Sequence, residues 1–279
     1  MNKTFDLHRL GMVVRWSILS EWKGFAGGII GLGIAIALYC LISLFTIKAL
    51  GESGYMVAEN LYASRVCGFM GGMAFIAFYV LASCIFTNMK TKLKRENFLM
   101  LPASNLEKFV ARLLLTTAGA VVGIFCSLVI GDILQFLFSL FITPGFHTSI
   151  TWAVLKEAAL NLFSPTDNWL AAIALYFFLL FAHSFATLGG SFYRKLPVLL
   201  TACTSIVLCI ILGIIVNQLG EAGILNFNLN IDLSRGNTTD ICFTATIAIV
   251  FLALSAFNYW ASYKVFCRMQ IICNKWLNL

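Results

Sequence analysis

A hydrocarbon core about 30 Å thick is crossed by roughly 20 residues of α-helix, each rising about 1.5 Å. The sequence holds six apolar stretches of that length, at 25–47, 66–87, 113–142, 169–188, 196–216 and 241–262. The third is broken only by Asp132 and Gln135, the fourth contains His183, and the others carry no ionisable group of that kind. With 60% hydrophobic and 11% charged residues, the 279-residue chain has less than half the charge that keeps a soluble domain in water, about a quarter of its residues. The fold class read from this is an all-α polytopic membrane protein with six transmembrane helices. Residues 1–24 form a polar-rich N-terminal arm, 25–262 the membrane domain and 263–279 a tail, with no stretch long enough for a separate soluble domain.

Orientation follows from the lysines and arginines, which stay preferentially on the cytosolic side. Fifteen of them fall in the arm, the loop after span two, the turn after span four and the tail; the other three loops share Lys48, Arg65, Lys156 and Arg235. This places both termini in the cytosol. It also explains the net charge of +7 by membrane orientation, with no need for nucleic acid. In the arm, Leu7, Leu10, Val14, Ile18 and Trp22 share one helical stripe, so the arm is read as an elbow helix on the inner leaflet. Among the outer loops (48–65, 144–168 and 217–240), residues 148–163 carry Trp152, Leu155, Ala159 and Phe163 on one stripe and are read as a short surface helix. The last outer loop has no readable fold.

The inner loop 90–112 is the most informative segment. Its basic first half leads into Phe98–Leu101, and Pro102 ends any helix there. Ser104 and Glu107 then have the spacing of a capping box, which opens a new helix at Asn105. The residues alone allow an anchor on anionic lipid. The segment resembles the cytosolic loop of type-2 ABC-exporter permeases, in which an acidic residue, a Leu-rich stretch, Pro-x-Ser and a basic residue precede span three. Glu96, Leu99, Leu101, Pro102, Ser104 and Lys108 or Arg112 match that pattern, while Asn97-Phe98 replaces the family's Gly-Thr pair.

The resemblance implies that 90–112 couples the chain to a separate ABC ATPase subunit, which would carry ATP and Mg. Arg95, Glu96, Phe98, Leu99, Leu101, Pro102, Ser104 and Glu107 are then the coupling residues, with Phe98–Leu101 an apolar plug in the ATPase. It also implies a homodimer or pseudo-dimer in the bacterial inner membrane. The rival readings are a membrane scaffold or sensor subunit without a transport path, and a proton-coupled secondary transporter.

No G-x-x-x-x-G-K-[ST], H-E-x-x-H or G-x-S-x-G run occurs, so the chain is expected to have no ATPase site, cofactor or enzymatic activity of its own. His8, His147 and His183 are spread over different segments and form no metal set. The nine cysteines include no C-x-x-C pair and are read as small apolar side chains. Intramembrane ionisable groups are candidate functional residues. Asp132 is read either as a hydrated group near the outer interface or as part of a transport path, and His183 either as a bundle hydrogen bond or as part of that path. Gly119, Gly123, Ser127 and Gly131 form an i,i+4 ridge for close helix packing, repeated in shorter form at Gly27 and Gly31 and at Gly68 and Gly72.

Overall fold

The computed structural model of the chain describes residues 5–50, 55–89, 91–142, 149, 151–156, 169–221 and 238–269. The helices run α1 Leu7–Leu50, α2 Tyr55–Ser83, α3 Lys92–Leu99, α4 Asn105–Ile142, α5 Trp169–Phe192, α6 Pro197–Glu221 and α7 Thr238–Arg268, with a 3-10 turn at Thr87–Met89. All but the eight-residue α3 are long and apolar enough to cross a membrane, which gives the six spans. Residues 151–156 form a further short helix, covering part of the expected surface helix; 157–163 and the loop 222–237 lie outside the described residues.

α6 shows why lipid must be the solvent. Only 6% of its most apolar stretch is buried inside the protein, and Ile206, Ile210 and Ile214 are all more than half exposed. A helix apolar all round and this little covered has no place in water.

The arm and the first span are continuous, forming one helix of 44 residues, about 66 Å long, because nothing between them breaks it. Gly24 costs a helix interior only about 1 kcal/mol. Of the expected apolar stripe, Leu7, Ile18 and Trp22 are exposed; the buried side of this stretch is Leu10, Val13 and Ser17.

Contacts divide the chain into two compact units: Met1–Leu10, Tyr79–Leu113 and Pro165–Leu279 in the first, Gly11–Phe78 and Leu114–Ser164 in the second. In the second unit the small-residue ridge of α4 meets α1. The Ser127 hydroxyl donates to the Ile29 carbonyl at 2.9 Å, and a Cβ added to Gly131 would lie 2.5 Å from Ile36 Cγ2. Gly123 faces Ile29, whereas Gly119 meets only Leu115 of its own helix. Gly27, Gly31, Gly68 and Gly72 have nothing within 4 Å of an added Cβ, so among the described residues the same motif has a packing partner on one of the three helices. Beyond the ridge, Ile36, Cys40, Leu44, Val66, Met70 and Leu128 form the core, and Tyr39 stacks on Phe69 with ring centres 3.7 Å apart.

In the first unit, α5 lies against α7 along a polar seam. The Asn258 amide donates to the Ser184 hydroxyl at 3.2 Å, Ser191 and Ser262 share a hydrogen bond, and all four are buried. Gly190 is pressed on the end of α2: a Cβ there would lie 2.9 Å from the Ser83 carbonyl carbon and closer still to its oxygen. Backbone cannot swing aside as a side chain can, so Gly190→Ala is expected to destabilise at or above the usual overpacking range of about 1–3 kcal/mol. Gly213→Ala, in open space in the interior of α6, is expected to stabilise by up to about 1 kcal/mol. Thermal unfolding of the two variants in one detergent measures the difference.

Candidate functional site

The sequence-predicted loop folds as a compact assembly at the Lys/Arg-rich end of the first unit. α3 begins because the Thr91 side chain accepts from the Lys94 amide at 3.4 Å, satisfying one of the unpaired first-turn donors. It stops at the Met100–Pro102 turn. α4 then starts on the expected capping box: the Ser104 amide donates to Glu107 Oε2 at 2.7 Å, and the Glu107 amide donates to Ser104 Oγ at 3.2 Å.

Glu107 does more than cap its own helix. Its fully buried side chain also receives, at Oε1, the Asp6 amide at 2.9 Å and the Arg9 guanidinium at 3.1 Å. Asp6 in turn caps α1, accepting from the His8 amide at 2.9 Å. One carboxylate therefore sits beside the N-termini of both α1 and α4, where the partial positive charge of each helix end favours it. The sequence reading missed Asp6, although an Asp directly before an apolar-periodic run is a helix-start signal. Arg9 also pairs with Asp6 of its own first turn, at 3.5 Å, but its bond to Glu107 has no local signal, because that partner is distant in sequence.

The basic groups are used in a complementary way. Lys108 Nζ donates to the Leu99 carbonyl at 2.6 Å, at the end of α3. Arg112 Nε donates to the Ile85 carbonyl at 2.7 Å, just past the end of α2, and Arg95 Nε donates to the Met89 carbonyl at 3.4 Å. All three side chains are buried. They satisfy helix-terminal carbonyls, an arrangement the helix dipole favours. Lys92 and Lys94 are exposed, with Lys92 3.9 Å from Glu96, and Lys90 lies outside the described residues.

Phe98 corrects the expected plug. It is fully buried, edge-on to Phe266 of α7 at 6.4 Å, and Phe266 stacks on Phe86 at 4.9 Å. Phe109 packs against Tyr263 at 5.5 Å. Phe98 thus fastens α3 to the protein's own aromatic layer, and Leu101 is half-buried. The apolar groups that α3 and its C-cap present outward are Leu93 at 67% and Met100 at 75% exposure, with exposed Asn97 between them and Lys92 and Lys94 beside Leu93. Pro102 is also exposed.

The intramembrane candidates lie in different units. His183, in the first, is buried in the α5–α7 seam with Nδ1 2.8 Å from the Tyr259 hydroxyl, as the bundle-hydrogen-bond reading expects. Asp132, in the second, accepts from the Ser149 hydroxyl at 2.7 Å and the Thr151 amide at 3.3 Å. It anchors the start of the 151–156 helix, a role no local motif announced. Among the described residues no three His, Cys, Asp or Glu side chains are grouped to hold a metal ion.

No protein-family model, curated protein or solved structure matches the chain.

Proposed function

We propose that this chain is the membrane-spanning permease subunit of an ATP-driven exporter of the type-2 ABC class, working as a dimer with an ABC ATPase bound to its cytosolic side. The observation that carries the reading is the construction of α3. A short helix is locked from within by Phe98, Arg95 and the Lys108–Leu99 bond, while its free face offers Leu93, Asn97 and Met100. A rigid lever with an apolar tip and a basic margin suits a subunit that must receive force from another protein. The Lys/Arg distribution supports a cytosolic position for that face.

In this reading, closure of the ATPases on ATP pushes α3. The push passes through Glu107, Arg9 and Phe266 to the ends of α1, α4 and α7, and the spans alternate access. Coupling residues that touch the partner are Leu93, Asn97 and Met100; Arg95, Phe98, Ser104 and Glu107 act by holding them.

The test is ATPase retained per permease after pull-down of Leu93→Ser/Met100→Ser, with membrane insertion measured in parallel. Each buried apolar group is worth about 1.5–3 kcal/mol in such a contact, so each loss is expected to weaken capture more than tenfold. Undiminished capture by an inserted double variant would overturn docking through α3. Absence of any ATPase from the wild-type complex would favour the scaffold reading.

A further inference from the structure

The second unit contains a crevice of about 250 Å³. Ile36 and Leu128, both core residues, line it from α1 and α4, and Cys67, Met70, Gly71 and Met73 line it from α2. Val154 lines it from the short helix that Asp132 anchors. Every described lining residue is apolar or a thiol, so among the described residues water finds none of the two to four polar partners it needs. For scale, an engineered apolar cavity of about 150 Å³ in another protein stays dry and binds benzene.

Two features point to the occupant. Gly71 is exposed, and a Cβ added to it would meet nothing within 4 Å, so the crevice is open on the glycine surface of α2. That surface belongs to a membrane span, where the surrounding medium is hydrocarbon. The thioethers of Met70 and Met73 also adapt readily to a flexible, featureless ligand. We propose that this crevice is a resident-lipid site that seats one acyl chain of a bilayer phospholipid. The site does not depend on the partner ATPase.

The test uses the full chain in nanodiscs made with a phospholipid carrying a photoactivatable diazirine in mid-chain, followed by peptide mapping. A seated chain is expected to label Met70 and Met73 in preference to Phe75 and Ile76, which are exposed on the same helix but outside the crevice. Gly71→Leu fills the mouth without meeting other atoms at its Cβ. It is expected to lower the Met70/Met73 labelling about tenfold, the change that losing roughly two buried methylenes produces. Gly72→Leu adds the same bulk beside the crevice and is expected to leave the labelling unchanged.

A second measurement needs no variant. Cys67 lines the crevice, while Cys203 and Cys209 are exposed on α6. Adding phospholipid back to delipidated protein is expected to slow the reaction of Cys67 with an apolar thiol reagent relative to those two. Labelling that favours Phe75 and Ile76 and ignores Gly71→Leu would mean annular lipid only. Cys67-to-Cys67 crosslinking between chains, with no lipid label, would mean a second copy fills the crevice. Either result, or an unchanged Cys67 rate, overturns the proposal.

Discussion

Phe98→Ala is expected to loosen the inner assembly as a whole, by about 3–5 kcal/mol, the usual cost of emptying a fully buried phenylalanine site. Phe98 sits on Phe266, which stacks on Phe86, so the void opens where α3 is fastened to α7. Leu93→Ala removes an apolar side chain of similar kind from the same helix, but one that is 67% exposed. Its effect on stability should stay within about 0.5 kcal/mol. Denaturant unfolding of both variants in detergent separates the two residues. A mild Phe98→Ala would mean that the aromatic layer does not hold α3. The contrast also governs the pull-down: loss of ATPase capture in a Phe98 variant would report damage to the lever, whereas loss in a Leu93/Met100 variant would report damage to its tip.

Glu107→Ala is expected to have the second large effect. It removes the acceptor for the Ser104 and Asp6 amides and for Arg9 at once. Breaking a buried ion pair from one side costs roughly 3–5 kcal/mol, and the cap adds about 1 kcal/mol. Arg9 keeps 22% exposure and regains part of its hydration, so a total near the lower figure, about 3 kcal/mol, is expected. Glu107→Gln keeps one acceptor oxygen and should lose less. Amide hydrogen exchange gives the sharper readout: protection should fall at the first turns of both α1 and α4. Loss confined to α4 would show that the carboxylate serves only its own helix.

The parts of the fold fixed by local chemistry were legible in the sequence. Length and absence of charge mark the spans, and Pro102, Ser104 and Glu107 mark the break between α3 and α4. Contacts between distant segments were not legible. In α3, Leu93, Phe98 and Leu99 do not share one face, so eight residues cannot announce which one turns inward; that choice is made by Phe266, far along the chain. Lys108 and Arg112 were legible only as basic residues at the opening of span three, because nothing nearby in sequence shows that they answer the carbonyls of Leu99 and Ile85. The continuity of α1 was hidden by Arg15, Glu21 and Lys23, which resemble a surface arm although they interrupt no backbone hydrogen bond. Asp132 was legible as an intramembrane acid, but its partners Ser149 and Thr151 lie across a loop whose path no periodicity describes.

The Glu107 and Phe266 contacts also set an order of events during synthesis. Asp6 and Arg9 leave the ribosome long before their acceptor exists, and Phe98 leaves long before Phe266. A nascent chain stopped short of Phe266 therefore carries α3 without its aromatic contact to α7, even when earlier spans are already in the bilayer. α3 is first held by Arg95 and Lys108 and gains its contact with Phe266 when α7 arrives, so the inner assembly is completed by the last span to be made.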